Sequence, residues 1–224
     1  MRPRKPLIGL ALAVVLAACA AEPSPTPAPV CPDAPPTSTS AQATLEGAEL
    51  ATVRIGGAVE GEFAFELYGD EAPIATASFV ALARCGFYDG IKFHRVLAGF
   101  VAQAGDPQTE SNEGDFPGIG TGGPGYEFEI ELPADGLGYG PYSVSMANDT
   151  RTNGSQFFIA LTDLNEGLPR QYTIFGQVVS GNDIVDAIAV VPVNDPTIGV
   201  PASPVVIESI TISSAAGPSS SPSE

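Results

Sequence analysis

The chain has no tryptophan and a single histidine, His94, among its 224 residues. One imidazole rules out zinc centres built on paired histidines. A Ser-His-Asp hydrolase would have to use His94, and no G-x-S-x-G turn is present to display its serine. Cysteine is sparse as well: the three, at 19, 31 and 85, form no C-x-x-C pair, which removes thiolate zinc knots and thioredoxin-like couples. Positive charge is scarce too. Nine lysines and arginines face 26 aspartates and glutamates, a formal charge of −17, and setting aside Arg2, Arg4 and Lys5 takes it to −20. Such a surface repels phosphate backbones and anionic lipid heads, so neither nucleic acid nor electrostatic membrane attachment is expected.

What is present falls into blocks. "MRPRKPLIGLALAVVLAAC" begins with basic residues, continues in an apolar run and ends in small residues before Cys19, the layout of an export signal over residues 1–18. The run is short for a membrane span. Leu16-Ala17-Ala18-Cys19 resembles the bacterial lipobox, after which cleavage leaves the cysteine to carry lipid; an ordinary cleavage site beside a chance cysteine is the other reading. Residues 19–48 are rich in Pro, Ser, Thr and Ala and bury too little to offset their ordering entropy, so they read as a tether. Residues 214–224, "SAAGPSSSPSE", read as a disordered tail. Residues 49–213 remain as one folded unit without internal repeats, large enough to bury its own core. The expected location is outside the cytoplasm, with the membrane reached only through a lipid anchor at Cys19. That compartment permits disulfides. With Cys19 assigned to lipid, Cys31 and Cys85 are left as a pair and are expected to bridge; the competing reading packs Cys85 in the core and leaves Cys31 free.

Within the folded unit, short runs rich in β-branched and aromatic residues alternate with turn residues: "ATVRIGG", "EFAFELYG", "IKFHRVLAG", "FVAQAG", "YEFEIEL", "YSVSMAN", "SQFFIAL", "YTIFGQVV" and "PVVIESITI". Two segments have helical spacing instead. "DEAPIATASFVALARCG" has Pro73 near its start and Gly86 just past its end, and "GNDIVDAIAVV" puts Ile184, Val185 and Ile188 on one face. Many strands and two helices predict a mainly β domain curled into a closed or nearly closed barrel, because closure removes unpaired edges. "GIGTGG" at 118–123 meets the G-x-G-x-x-G pattern without a strand before it or a helix after it, so no dinucleotide is expected. The "DPQTESNEGD" loop misses the spacing of a calcium hand. No metal and no other cofactor is expected.

One stretch concentrates the scarce residue types: "FHRVLAGFVAQAGD", 93 to 106. Alternation on a strand turns His94 away from Arg95, and a structural histidine satisfied by backbone is the expectation for it. Phe93 and Arg95 then share a face, and Phe100, Val101 and Gln103 follow the turn at Ala98-Gly99. Arginine is rarely buried without a partner. On residue chemistry alone two readings of Arg95 stay open, an ion pair with a carboxylate at the rim or a guanidinium kept for function.

This stretch closely resembles the "FHRxxxGFxxQxGD" signature of the cyclophilin-type peptidyl-prolyl isomerases, and "SMANDTRTNGSQFFIAL" resembles their second signature. "APIATASFVALARCGFYDGIKFHR" is similar to the family's first helix and next strand, and "YTIFGQVVSGNDIVDAI" to its last helix region, so the likeness spans nearly all of residues 50 to 212. The resemblance implies an all-β, mainly, architecture: an eight-stranded antiparallel barrel capped by two α-helices. It further implies a monomeric isomerase that acts on proline-containing polypeptides without a cofactor. Its catalytic positions fall on Arg95 and Gln103. Its proline pocket falls on Phe100, Val101, Phe158 and Leu168, its peptide-holding positions on Gln103, Ala147, Asn148 and Gln156, and its glycine-rich loop on the segment around Gly120. Tyr172 stands where many relatives have a pocket histidine, whereas Phe157 reads as core. The chain departs from the pattern at Ala98 and Ala104, in a longer loop from Gln108 to Gly118, in a shorter "DTRTNG" turn and in the missing tryptophan near Leu168. A non-catalytic proline-binding or chaperone module on the same fold is the alternative.

Overall fold

The computed structural model describes residues 29–112, 114–149 and 151–214. The signal segment, Cys19, the first part of the tether and the tail beyond residue 214 lie outside these. Each of the nine β-type runs contains a strand: β1 (Leu50–Gly57), β2 (Gly61–Leu67), β3 (Arg95–Leu97), β4 (Val101–Ala104), β5 (Phe128–Glu129), β6 (Ser143–Asn148), β7 (Thr152–Ala160), β8 (Ile174–Ser180) and β9 (Val205–Ser213). The helices are α1 (Ser38–Leu45), α2 (Pro73–Arg84), α3 (Gln108–Ser111) and α4 (Asn182–Ala189).

The two expected helices are α2 and α4. Ala72 gives α2 no side-chain cap. Glu131, far along the chain, supplies one: its carboxylate accepts from the Ile74 N–H at 3.0 Å and the Ala75 N–H at 2.8 Å. A negative charge on the first turn also complements the helix dipole. The single turn of α3 falls in the long loop after Gln108. Helix α1 forms inside the stretch read as tether. Thr37 and Ser40 cap its start reciprocally. The Arg84 guanidinium donates to the Thr44 carbonyl at 2.6 Å, and a disulfide joins Cys31 to Cys85 at the end of α2. Residues 31 to 45 are therefore fastened to the domain rather than extended away from it.

All the strand pairs are antiparallel, and the sheet runs in the order β3-β4-β7-β6-β8-β2-β1-β9, with β5 beside β7. The expected closed, eight-stranded barrel capped by two helices is corrected here to an open, strongly curled sheet, with nine strands among the described residues. Its ends, β3 and β9, share no ladder. β3 is only three residues long, and the chain ahead of it crosses β9 at the isolated bridge Lys92↔Val206. There the Phe93 N–H donates to Val205 at 2.9 Å and the Ile207 N–H to Ile91 at 2.8 Å. The edge is thus covered by a bent segment instead of being paired along its length.

Register sets the core. Val96, Ala102, Ile159 and Val144 stand opposite one another across β3, β4, β7 and β6, and all four are buried. Helix α2 lies across this inner face. The Phe79 ring meets those of Phe65, Tyr88, Phe157 and Phe175 with centroids 5.1 to 5.7 Å apart. Full burial of a phenylalanine contributes about 1.5–3 kcal/mol, so this aromatic group is a main source of cohesion.

Candidate active site

The neighbouring row points the other way. Arg95 on β3 is paired with Gln103 on β4, and Gln103 with Phe158 on β7. Directly opposed residues project to one side of an antiparallel sheet, so three residues far apart in sequence form a line on the outer face. Val101 shares that face two residues before Gln103. Around this line lies a cavity of about 170 Å³. Arg95, Gln103 and Asn148 stand at its polar side, Phe100, Val101 and Phe158 supply apolar walls, and Ala147, Leu168 and Tyr172 complete it. Beneath the cavity, Val101, Tyr139, Phe158, Ala160, Leu164 and Ile174 form a second apolar cluster, separate from the inner core.

Arg95 is half-buried, with its guanidinium carbon 5.7 Å from the centre of the Phe100 ring. Cation–π contact of this kind holds the head group without consuming its N–H donors. Among the described residues the salt bridges are Arg54–Glu208 and Arg151–Asp149, so the first reading of Arg95, an ion pair at the rim, is not what the structure shows. Phe93 does not share the face of Arg95 as expected. It is buried in the inner core, because β3 begins only at Arg95 and the chain bends just before it.

A groove of about 820 Å³ adjoins the cavity and shares Gln103, Ala147 and Asn148 with it. Gln156 and Gly120 line this groove rather than the inner cavity. The Gln103 amide donates to the Gln156 side chain at 2.9 Å, and Gln156 donates to the carbonyls of Gly120 and Gly122 at 2.9 and 2.8 Å. A chain of amides therefore ties the glycine-rich loop to the Arg95–Gln103–Phe158 row. Asp106, fully buried, holds the same loop from below by accepting from the Gly120 N–H at 2.6 Å and the Gln108 N–H at 2.9 Å. A Cβ at Gly122 would fall on the Asp106 carboxylate, which is why this position requires glycine.

His94 is buried under this loop, at 5% exposure. It is not satisfied by backbone as expected, because neither ring nitrogen makes a hydrogen bond of good geometry. Burial pushes its pKa from 6.5 down to about 4; the Asp106 carboxylate and the nearby Lys92 backbone and Gln156 side chain pull the other way without offsetting it. The ring is neutral at pH 7. Sequence reasoning overlooked Asp106 and Tyr139. Asp106 had one available signal, a carboxylate closing an otherwise apolar strand, whereas nothing local marked Tyr139.

A half-buried guanidinium beside an apolar notch, with amide groups along an open groove, is what this outer face of the sheet presents. Comparison with known proteins identifies the family. Residues 50–212 match the family model described as cyclophilin type peptidyl-prolyl cis-trans isomerase/CLD. The chain belongs to this family of isomerases. A peptidyl-prolyl cis-trans isomerase of Helicobacter pylori is 42% identical over 132 residues, 58% of this chain and 75% of its own. Peptidyl-prolyl cis-trans isomerase A of Mycobacterium tuberculosis is 40% identical over 173 residues, 68% of this chain and 87% of its own. A crystal structure of a Cryptosporidium parvum cyclophilin, solved in the presence of the dipeptide Ala-Pro, aligns with a TM-score of 0.63 and 30% identity, covering 74% of this chain and 99% of that one.

Proposed function

We propose that the Arg95 cavity accelerates cis–trans rotation about X–Pro bonds in exported polypeptides, and that lipid on Cys19 holds this enzyme at a membrane. Rotation about a peptide bond meets a barrier of about 18–20 kcal/mol because amide resonance must be lost. For X–Pro both isomers are accessible and exchange takes tens to hundreds of seconds. In the twisted state the prolyl nitrogen recovers its lone pair. A donor that bonds it there, and not in the planar amide, stabilises the transition state selectively. The guanidinium of Arg95 suits this because it never deprotonates. Phe100, Val101, Phe158 and Leu168 hold the proline ring, and Gln103 and the main chain at Asn148 hold the peptide, so one end of the bond stays fixed while the other turns. The pocket needs residues from one chain only, consistent with a monomer.

The observation that carries this reading is Arg95 at the mouth of an apolar cavity with no carboxylate paired to it among the described residues. Loss of one such donor costs about 10²–10³ in kcat. Arg95→Ala is therefore expected to remain folded and to lose about a hundredfold in exchange rate on an Ala-Pro peptide, followed by NMR. Equal rates for the two proteins would refute the mechanism. The export half of the proposal is supported by the leader sequence and by the Cys31–Cys85 disulfide, a bond characteristic of oxidising compartments. Cys19→Ser is expected to release the protein from membranes. Retention after a high-salt wash would place the anchor elsewhere.

A further inference from the structure

Leu168 and Tyr172 reach the cavity from the segment between β7 and β8, which contains neither helix nor strand. Irregular chain holds a side chain in place only if something else holds the chain. The Arg170 guanidinium, donating to the carbonyls of Pro133, Ala134 and Leu137, and the Asn148 amide, donating to the Gln171 carbonyl, hold the chain before Tyr172, and at Tyr172 itself the support is Tyr139. Its hydroxyl donates to the Tyr172 carbonyl at 2.9 Å and accepts from the Tyr172 N–H at 3.1 Å, so one oxygen satisfies both main-chain groups of the pocket residue. The Tyr139 ring is 1% exposed and meets the Tyr172 ring edge-on at 6.3 Å. Tyr172 in turn meets Phe158 edge-on at 5.5 Å. Tyr139 is itself pinned, since its N–H donates to the Asn165 side chain at 2.8 Å and its carbonyl accepts from Leu164 at 2.9 Å.

We propose that Tyr139 is a positioning residue for substrate: its hydroxyl sets where Tyr172 stands against Phe158 and so the shape of the cavity wall that these two touching rings present to a proline ring. The inference rests on the isomerase reading of the cavity. Tyr139→Phe keeps the ring and removes one oxygen, leaving two part-buried main-chain groups without that partner. In the purified full-length protein, KM for an Ala-Pro peptide is expected to rise about tenfold while kcat changes less than about twofold, because Arg95 lies on β3 and keeps its place. A purely structural role would instead lower thermal stability and the active fraction, moving kcat and leaving KM alone. In a Tyr172→Ala background the same change is expected to add nothing, since the side chain it positions is gone. An unchanged KM, or effects that simply add, would overturn the proposal. Amide hydrogen exchange on the unmodified protein gives a reading that does not depend on a variant folding. The Tyr172 amide is expected to exchange more slowly than the exposed amides of its segment, and exchange as fast as theirs would count against Tyr139. Arg95→Ala separates the two readings: full turnover there defeats the isomerase mechanism, while the effect of Tyr139→Phe on peptide affinity is still measured.

Discussion

Phe157 and Phe158 are neighbours on β7, both aromatic and almost equally buried, at 0% and 4% exposure, yet they belong to different parts of the molecule. Phe157 faces inward, where its ring meets Phe79, Tyr88, Phe93 and Phe175. Phe158 faces outward onto the cavity and meets one ring, that of Tyr172. Burial therefore does not separate core from site in this sheet. The pleat does, by assigning alternate residues to a face that coheres and a face that lines the cavity.

The comparison breaks most visibly on the inner side. Phe157→Ala is expected to cost about 3–5 kcal/mol of stability, because four ring contacts are lost around a cavity that rigid neighbours cannot fill. The exchange rate of the fraction still folded should change little. Denaturant unfolding together with an activity assay checks both, and a loss of turnover without loss of stability would reverse the assignment of faces.

His94 sharpens the comparison, since it lies on the outer side under the glycine-rich loop yet bears on stability. Its pKa is about 4 when folded and 6.5 when free, so as pH falls the unfolded chain takes the proton first. Stability from this group is complete above pH 6.5 and is lost as pH falls from 6.5 towards 4. At 1.36 kcal/mol per unit that amounts to roughly 3 kcal/mol. His94→Gln should remove this part of the pH dependence. A difference in stability between the two proteins that stays constant across the window would show that His94 is not buried neutral.

The smallest effect is expected at Phe158. Phe158→Leu nearly conserves volume, so stability should move by less than about 1.5 kcal/mol. The flat wall of the cavity proposed to take the proline ring is lost, however, and KM should rise about fivefold with kcat kept. Steady-state kinetics beside the Phe157 variant tests whether adjacent residues divide the two tasks.

Much of this was legible in the chain. Alternating β-type runs located all nine strands, and the Pro73 and Gly86 boundary signals located α2. The signature residues from Phe93 to Asp106 pointed to Arg95, Phe100, Val101 and Gln103 before any contact was known. Helix α1 was missed because the composition of residues 19–48 outweighed the local capping signal at Thr37 and Ser40, and a short helix forms only where tertiary contacts support it. His94 was expected to be a structural histidine satisfied by backbone, and its unsatisfied ring nitrogens were not visible, since they depend on which loop covers the ring.

Neighbours along the chain suffice to set the period of each element, the residues that could be buried and the chemistry available. Which strand lies beside which is settled by the folded domain as a whole. It set Arg95, Gln103 and Phe158 in one line, stopped the sheet short of closure at β3 and β9, and brought Glu131 to the start of α2 and Tyr139 under Tyr172. Each of these is a meeting of segments distant in sequence, fixed by strand register and packing across the whole domain, and local pattern does not encode it.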